Sequence, residues 1–181
     1  MSGPAGPAPA ADLPGLPQPS PGQPGLSRVV LAGEALTRLS PLLEADRAQA
    51  VADLEAENSF ALCGTAERPA IPGPYVLHLS VQEGRLVFDV RDPADAPLQM
   101  LVLALGPFRG LIKDYQMLVD SHMLAVQEGR GERIQAIDMG RRGLHNEGAA
   151  LLQERLAGKA AIDHETARRL FTLVCVLHTR I

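Results

Sequence analysis

Apolar and polar residues alternate through the middle of the chain in the way that half-buried β-strands require. The stretches PYVLHLSV (74–81) and RLVFDVR (85–91) are separated by Gln-Glu-Gly at residues 82–84. The glycine suits the positive φ of a tight hairpin turn. A third apolar run, LQMLVLAL (98–105), is bounded on both sides by turn-forming residues. These three runs predict a small antiparallel meander with one covered face.

Apolar positions elsewhere recur at helical spacing. Between two short strand-like runs, RVVLAG (28–33) and SFALCG (59–64), Ser40 can cap a helix and Pro41 suits its first turn. After the meander, the pattern predicts four helical pieces: residues 107–129, 131–140, 145–159 and 163–178. Asp163 is the expected cap of the last piece, which is apolar on nearly every side from Leu170 to Leu177 and should be the most buried helix.

The elements together predict an α+β fold, a small antiparallel β-meander packed against several α-helices. Residues 28–181 form the single domain in this interpretation. Residues 1–27 hold eight of the fifteen prolines and almost no charge, so we expect a disordered Pro-rich tail. Recognition of that tail by a proline-binding groove is the alternative.

Composition narrows the class of function. The net charge of −4 argues against a nucleic-acid binder, and no apolar run approaches the length of a membrane span. The two cysteines, Cys63 and Cys175, form neither a disulfide framework nor a metal-ligand pattern. We therefore expect a cytoplasmic protein without a metal or cofactor, and Cys175 is interpreted as a buried, inert thiol.

The most conspicuous polar stretch is DMGRRGLHNEG, residues 138–148. Gly140 and Gly143 disfavour a continuous helix, so a turn is expected there and a new helix should begin near residues 144–146. A helix start offers free N–H groups and partial positive charge. With Arg141 and Arg142 beside it, such a corner could bind an anion.

The other residues of the predicted ligand-binding set are His145, Asn146, Glu147 and His178. His145 could donate a proton near neutral pH, and His178 ends the closing helix, where the helix dipole favours a cation. A purely structural interpretation is also coherent. In it, Asn146 caps the helix, Glu147 meets the dipole, the arginines pair with Asp138 or Glu147, and the glycines permit close packing, while His145 edges the core.

A resemblance extends over the folded part of the chain. The segments that carry it are ENSF, PYVLHLSV, EGRLVFDV, PFRGLIKDY, IQAIDMGRRGLHNEGAALLQERLAGK and DHETARRLFTLVCVLH. Together they resemble the bacterial uncharacterised protein family 0262. The resemblance implies no activity and no site residues, because none is assigned to the family. The chain departs from the family in having fewer aromatic residues: Gln116, Met117, His122 and Thr179 stand where the family tends to have rings.

Two classes of function remain open. The favoured one is a non-catalytic module that binds an anionic small molecule or a protein partner. The alternative is a small enzyme acting on a phosphorylated or carboxylate substrate, with His145 and Glu147 handling protons and Arg141 and Arg142 as clamps. No standard nucleophile, phosphate-loop or metal motif accompanies these residues. Convergence of His145, Glu147, Arg141 and His178 in one pocket would favour the enzyme.

Overall fold

The computed structural model describes residues 25–37 and 39–178, and the α+β prediction is confirmed. In that part of the chain the strands and helices follow in the order β1 (Leu26–Ala32), α1 (Pro41–Ala56), β2 (Phe60–Leu62), β3 (Tyr75–Gln82), β4 (Arg85–Arg91), β5 (Pro97–Ala104), α2 (Arg109–Gln127), α3 (Gly131–Leu156), β6 (Ala160–Ile162) and α4 (His164–Leu177). The tail expected over residues 1–27 lies outside the described residues as far as position 24. β1 begins at Leu26, two residues before the expected start of the domain.

The main sheet has the strand order β1-β3-β4-β5. Strands β3, β4 and β5 are antiparallel neighbours, so the meander is present as expected. The turn between β3 and β4 has positive φ at Glu83 (50°) and Gly84 (72°), the combination that a two-residue primed turn requires. β1 joins β3 in parallel, which makes the sheet mixed.

Glu55 on α1 and Asn58, two residues after α1 ends, bond to the outer edge of β1. The carboxylate of Glu55 accepts a hydrogen bond from the N–H of Val29 at 3.1 Å. The amide of Asn58 bonds both main-chain groups of Leu26, accepting from the N–H at 2.8 Å and donating to the carbonyl at 2.7 Å. This edge of the sheet is therefore closed by the protein itself.

One face of the sheet and the helices form the core. The sheet contributes alternate residues such as Leu77, Leu79 and Phe88, and α4 is buried from Leu170 to Leu177, as its pattern predicts. Both predicted caps are present. The Ser40 hydroxyl accepts from the N–H of Leu43 at 3.4 Å, and the Asp163 carboxylate accepts from the N–H of Thr166 at 2.9 Å.

The predicted break in the middle of α3 is wrong. A single helix runs from Gly131 to Leu156 and passes through Gly140 and Gly143 without a turn. Packing outweighs the low helix propensity of glycine here, because α3 lies between α2 and α4 along its length. After α3, the short strand β6, which the pattern did not predict, pairs antiparallel with β2.

Candidate functional site

The polar residues of α3 point in different directions. Because successive helical residues are about 100° apart, Arg141 and His145, four positions apart, share one face, while Arg142 lies to the side. Arg141 and His145 are partly buried, and Arg142, Asn146 and Glu147 are exposed. The predicted set is therefore divided between the interior and the surface.

Arg141 is held inside the helical layer. Its guanidinium forms an ion pair with Asp46 on α1 and a second one, at 3.3 Å, with Asp138. The same Asp46 carboxylate accepts a hydrogen bond from the hydroxyl of Tyr115 on α2. The Arg141 guanidinium carbon also lies 5.8 Å from the centre of the Tyr115 ring. These contacts tie α1, α2 and α3 together.

Burial and charge both act on the titration of this cluster. Burial, reinforced by the charge of Asp46, raises the pKa of the Tyr115 phenol far above its ordinary value, so the hydroxyl stays a donor. Burial is the largest single influence on the pKa of Arg141 and lowers it, but the charges of Asp46 and Tyr115 and the hydrogen bonds to both together outweigh burial, so the net shift is upward. The Arg141 guanidinium therefore stays protonated at neutral pH, and so does the Tyr115 hydroxyl.

His145 extends this cluster toward α4. Its ring lies 5.5 Å from the ring of Tyr115 and 6.2 Å, edge to face, from the ring of Phe171. Burial, followed by the charges of Arg141 and Arg168, lowers the pKa of the imidazole to about 4. Its Nε2 atom is buried and has no hydrogen-bond partner among residues 25–37 and 39–178. His145 is thus a neutral, packed side chain at pH 7.

The structure does not provide the helix start on which the predicted anion corner depended. Residues 144–147 lie inside α3, where main-chain N–H groups are engaged within the helix. Asn146 does not cap a helix; its side-chain oxygen lies 3.4 Å from Nε2 of His164. The part of the structural interpretation in which Arg141 pairs with Asp138 is confirmed.

His178 belongs to a different place. It lines an open groove of about 750 Å³ between the start of α1, most of α2 as far as Met123, and the end of α4. Of the six residues in the predicted set, His178 alone lines this groove. The side-chain amide of Gln116 donates to the His178 carbonyl at 2.9 Å and so fixes the end of α4 against α2. The residues predicted to form one site are not brought together.

The groove carries a local excess of positive charge. Arg109 and Lys113 line it on the first turns of α2, and among its lining residues Asp120 is the one acid. No ion pair involves Arg109 or Lys113 within the part of the chain that the structure describes. Ser40, the cap of α1, adds a hydroxyl and the positive end of that helix dipole.

The sequence interpretation missed Arg109, Lys113 and Ser40 as members of a site. Lys113 was visible within the LIKDY segment, but in a helical pattern a charged residue beside an apolar face is usually a solvated surface residue. The groove forms where the start of α1, α2 and the end of α4 meet in the folded protein. That contact is tertiary and has no counterpart in local spacing.

The fold and the groove define a small α+β domain with an open depression in its helical layer, lined by both apolar and polar residues and by two basic side chains against one acid. The chain belongs to the Uncharacterised protein family (UPF0262), whose pattern matches residues 23–180. Function is unassigned in this family. The resemblance inferred from the sequence segments is therefore confirmed.

Relatives match over most of their length. A UPF0262 protein of Granulibacter bethesdensis is 69% identical over 86% of this chain and 90% of the relative. A UPF0262 protein of Acidiphilium cryptum is 64% identical over 86% of this chain and 93% of the relative. One from Rhodospirillum rubrum is 52% identical over 79% and 85%, respectively. The family is thus established by sequence along nearly the whole described chain.

Two negative findings complete the comparison. No solved structure matches the chain significantly. Within residues 25–37 and 39–178, no helix has both the length and the apolar character needed to cross a membrane.

Proposed function

We propose that the protein is a non-catalytic binding module for a small anionic ligand, a phosphate or a carboxylate, and that the groove between α1, α2 and α4 is its site. The observation that carries the proposal is the pairing of a ligand-sized depression with two basic side chains that have no ion-pair partner among the described residues. A groove of about 750 Å³ falls within the range of small-molecule sites, roughly 300–1,000 Å³.

The chemistry of the lining favours an anion. Arg109 offers a planar fork that matches a phosphate or carboxylate, and Lys113, one helical turn further, offers a point charge. His178 and Gln116 add further polar groups at the end of α4. Asp120 lies two turns beyond Lys113 on α2, so in this proposal it marks the end of the anion-binding part of the groove and not its centre.

Of the six residues predicted from the sequence, only His178, at the end of α4, contributes to this proposal. Arg141 has two carboxylate partners already, so binding an external anion would mean breaking a partly buried ion pair. Arg142, Asn146 and Glu147 lie on the exposed side of α3. They form a second, weaker candidate surface, which the experiment below tests directly.

The enzyme alternative has less support. His145 and Glu147 are two positions apart on one helix and therefore point about 200° away from each other. An imidazole with a pKa of about 4 is almost entirely neutral at pH 7 and is a poor proton donor there. Neither residue lines the groove.

The experiment is a titration of the full chain with inorganic phosphate and with succinate, followed by calorimetry and by melting temperature. At a ligand concentration about 100 times Kd, binding should stabilise the native state by about 2.7 kcal/mol. Lys113→Ala and Arg109→Ala should abolish the response. The matched control is Arg142→Ala, an exposed arginine on α3 that should leave the response intact.

The outcomes separate the candidate sites. Loss of binding in Arg142→Ala with retention in Lys113→Ala would move the site to the surface of α3. Absence of any response to both anions in the wild-type chain would reject the anion-binding proposal.

A further inference from the structure

The outer edge of β5 is uncharged, and no segment among residues 25–37 and 39–178 covers it. The strand reads PLQMLVLA and contains neither a charge nor an internal proline. Met100 and Val102 are 60% and 40% exposed, an unusual state for two apolar side chains on one strand. Edge strands normally carry a lysine, a proline or a covering segment, since bare edges pair with other chains.

The direction of the main-chain groups can be deduced from the turn. The N–H of Leu105 donates to the carbonyl of Gly84 at 3.2 Å, which sets the phase of hydrogen bonding between β4 and β5. Hydrogen-bonded and non-hydrogen-bonded residue pairs alternate along an antiparallel pair of strands. Leu103 and Leu101 therefore direct their N–H and C=O groups to β4. Val102 and Met100 therefore direct theirs outward. No side chain or loop in the described part of the chain bonds to these outward groups.

The opposite edge of the same sheet shows how this protein closes an edge. Asn58 bonds the N–H and the carbonyl of Leu26, and Glu55 bonds the N–H of Val29. The two edges therefore differ. Side chains of the same protein bond main-chain groups of β1, whereas the outward donors and acceptors of β5 have no such partner among the described residues.

We infer that β5 is a homodimerisation edge and that a second copy of this chain occupies it, with the two β5 strands antiparallel about a twofold axis at Leu101. This register places Met100 of each copy opposite Val102 of the other. The most exposed apolar residues of the strand are then buried against each other. The two sheets become one eight-stranded sheet, an isologous contact in which the same patch serves both partners.

The charges that flank β5 are complementary in this register. Asp92 and Asp95 precede the strand, and Arg91 offsets part of their charge. Two arginines lie at its other end: Arg85, which is opposite Ala104 in the register of β4 and β5, and Arg109. Antiparallel pairing about Leu101 brings the acidic end of each copy beside the basic end of the other. A parallel arrangement would set like charges together.

Sedimentation velocity over a wide range of protein concentration tests the inference. The wild-type chain should sediment as a dimer, and Met100→Lys should shift it to monomer, because a charge would be buried at the centre of the contact. The matched control is Met139→Lys, the same change at a residue on α3 that is 72% exposed, which should leave the dimer intact. A wild-type monomer at every concentration, or loss of the dimer in Met139→Lys alone, would overturn it.

A proline variant tests the role of the main chain. Val102→Pro removes an N–H that faces away from β4, so it should block dimerisation while the melting behaviour remains that of a folded monomer. Leu103→Pro removes an N–H bonded to β4 and should unfold the sheet. A fully dimeric Val102→Pro protein would show that the strands do not pair.

Hydrogen exchange identifies what covers the edge. The amides of Met100 and Val102 should exchange slowly at high protein concentration and faster on dilution. Slow exchange in a monomer, independent of concentration, would instead indicate that residues 1–24 of the same chain cover the strand, and the inference would fail.

Discussion

Gly148 on α3 lies directly against the ring of Phe171 on α4: a Cβ atom on Gly148 would be 2.4 Å from the Cγ and Cδ1 atoms of that ring. Non-bonded carbon atoms normally stay about 3.5–4.0 Å apart. Phe171 is completely buried, so its ring has no free space into which to move. The absence of a side chain at residue 148 therefore permits α3 and α4 to pack closely.

Gly148→Ala should destabilise the domain, although alanine is the better helix former. Overpacking of a filled core costs about 1–3 kcal/mol, which exceeds the gain of about 1 kcal/mol in helix propensity. Chemical denaturation should show the loss. The matched control is Gly143→Ala on the same helix, where a Cβ would meet nothing within 4 Å and stability should rise. Equal effects of both changes would contradict the packing argument.

This relationship also explains why the sequence pattern failed at α3. Gly140 and Gly143 predict a turn, because an isolated helix disfavours glycine, and close packing is the alternative that the sequence leaves open. In the fold, Gly148 is needed for the approach of Phe171, and a Cβ on Gly140 would be 3.4 Å from the Leu118 side chain. Glycine at a turn and glycine at a helix contact look alike until the partner helix is known.

The strands of the meander and both helix caps were predictable because their signals are local. Alternation with period two, the turn at residues 82–84, and capping by Ser40 and Asp163 depend on neighbours in sequence. The parallel pairing of β1 with β3 and the groove depend on distant segments. The hydrogen bond from Tyr115 to Asp46, 69 positions away, could not be deduced for the same reason.

Asp46→Ala should destabilise the domain more than an ordinary surface change. It leaves the Arg141 guanidinium partly buried with Asp138 alone, and it removes the acceptor of the Tyr115 hydroxyl. Side-chain exposure is 14% for Arg141 and 17% for Asp46, so solvent screens part of the effect. We expect a loss of about 1–3 kcal/mol in the free energy of unfolding.

The control for this prediction is Arg142→Ala, whose side chain is exposed and should change stability by no more than about 0.5 kcal/mol. A double-mutant cycle of Asp46→Ala with Arg141→Ala isolates the coupling between the two. A coupling energy near zero would show that the ion pair does not hold α1 to α3.

The buried His145 should make stability depend on pH. Its pKa is about 4 in the folded protein and about 6.5 in an unfolded chain, so between these values the unfolded state binds more protons. Stability from this residue is therefore fully present above pH 6.5, falls as the pH is lowered through the window, and changes no further below pH 4. The slope should not exceed about 1.4 kcal/mol per pH unit.

His145→Gln removes that proton and should flatten the stability profile between pH 6.5 and 5, where few carboxylates titrate. An NMR titration of the His145 ring protons measures the folded-state pKa directly. A midpoint near 6.5 would mean that the ring is exposed to solvent and does not pack between Tyr115 and Phe171.

The two thiols should differ sharply in reactivity. Cys175 is completely buried inside α4, and burial raises the pKa of its thiol well above the ordinary value. Burial also raises the pKa of Cys63, but that side chain is partly exposed. Because the thiolate is the reactive form and the reagent must reach it, a maleimide should label Cys63 in the native protein and both residues after denaturation.

The Cys63→Ser variant should then remain unlabelled until it unfolds, which mass spectrometry can follow. Rapid labelling of Cys175 in the folded variant would show that α4 opens readily, contrary to its position at the centre of the core.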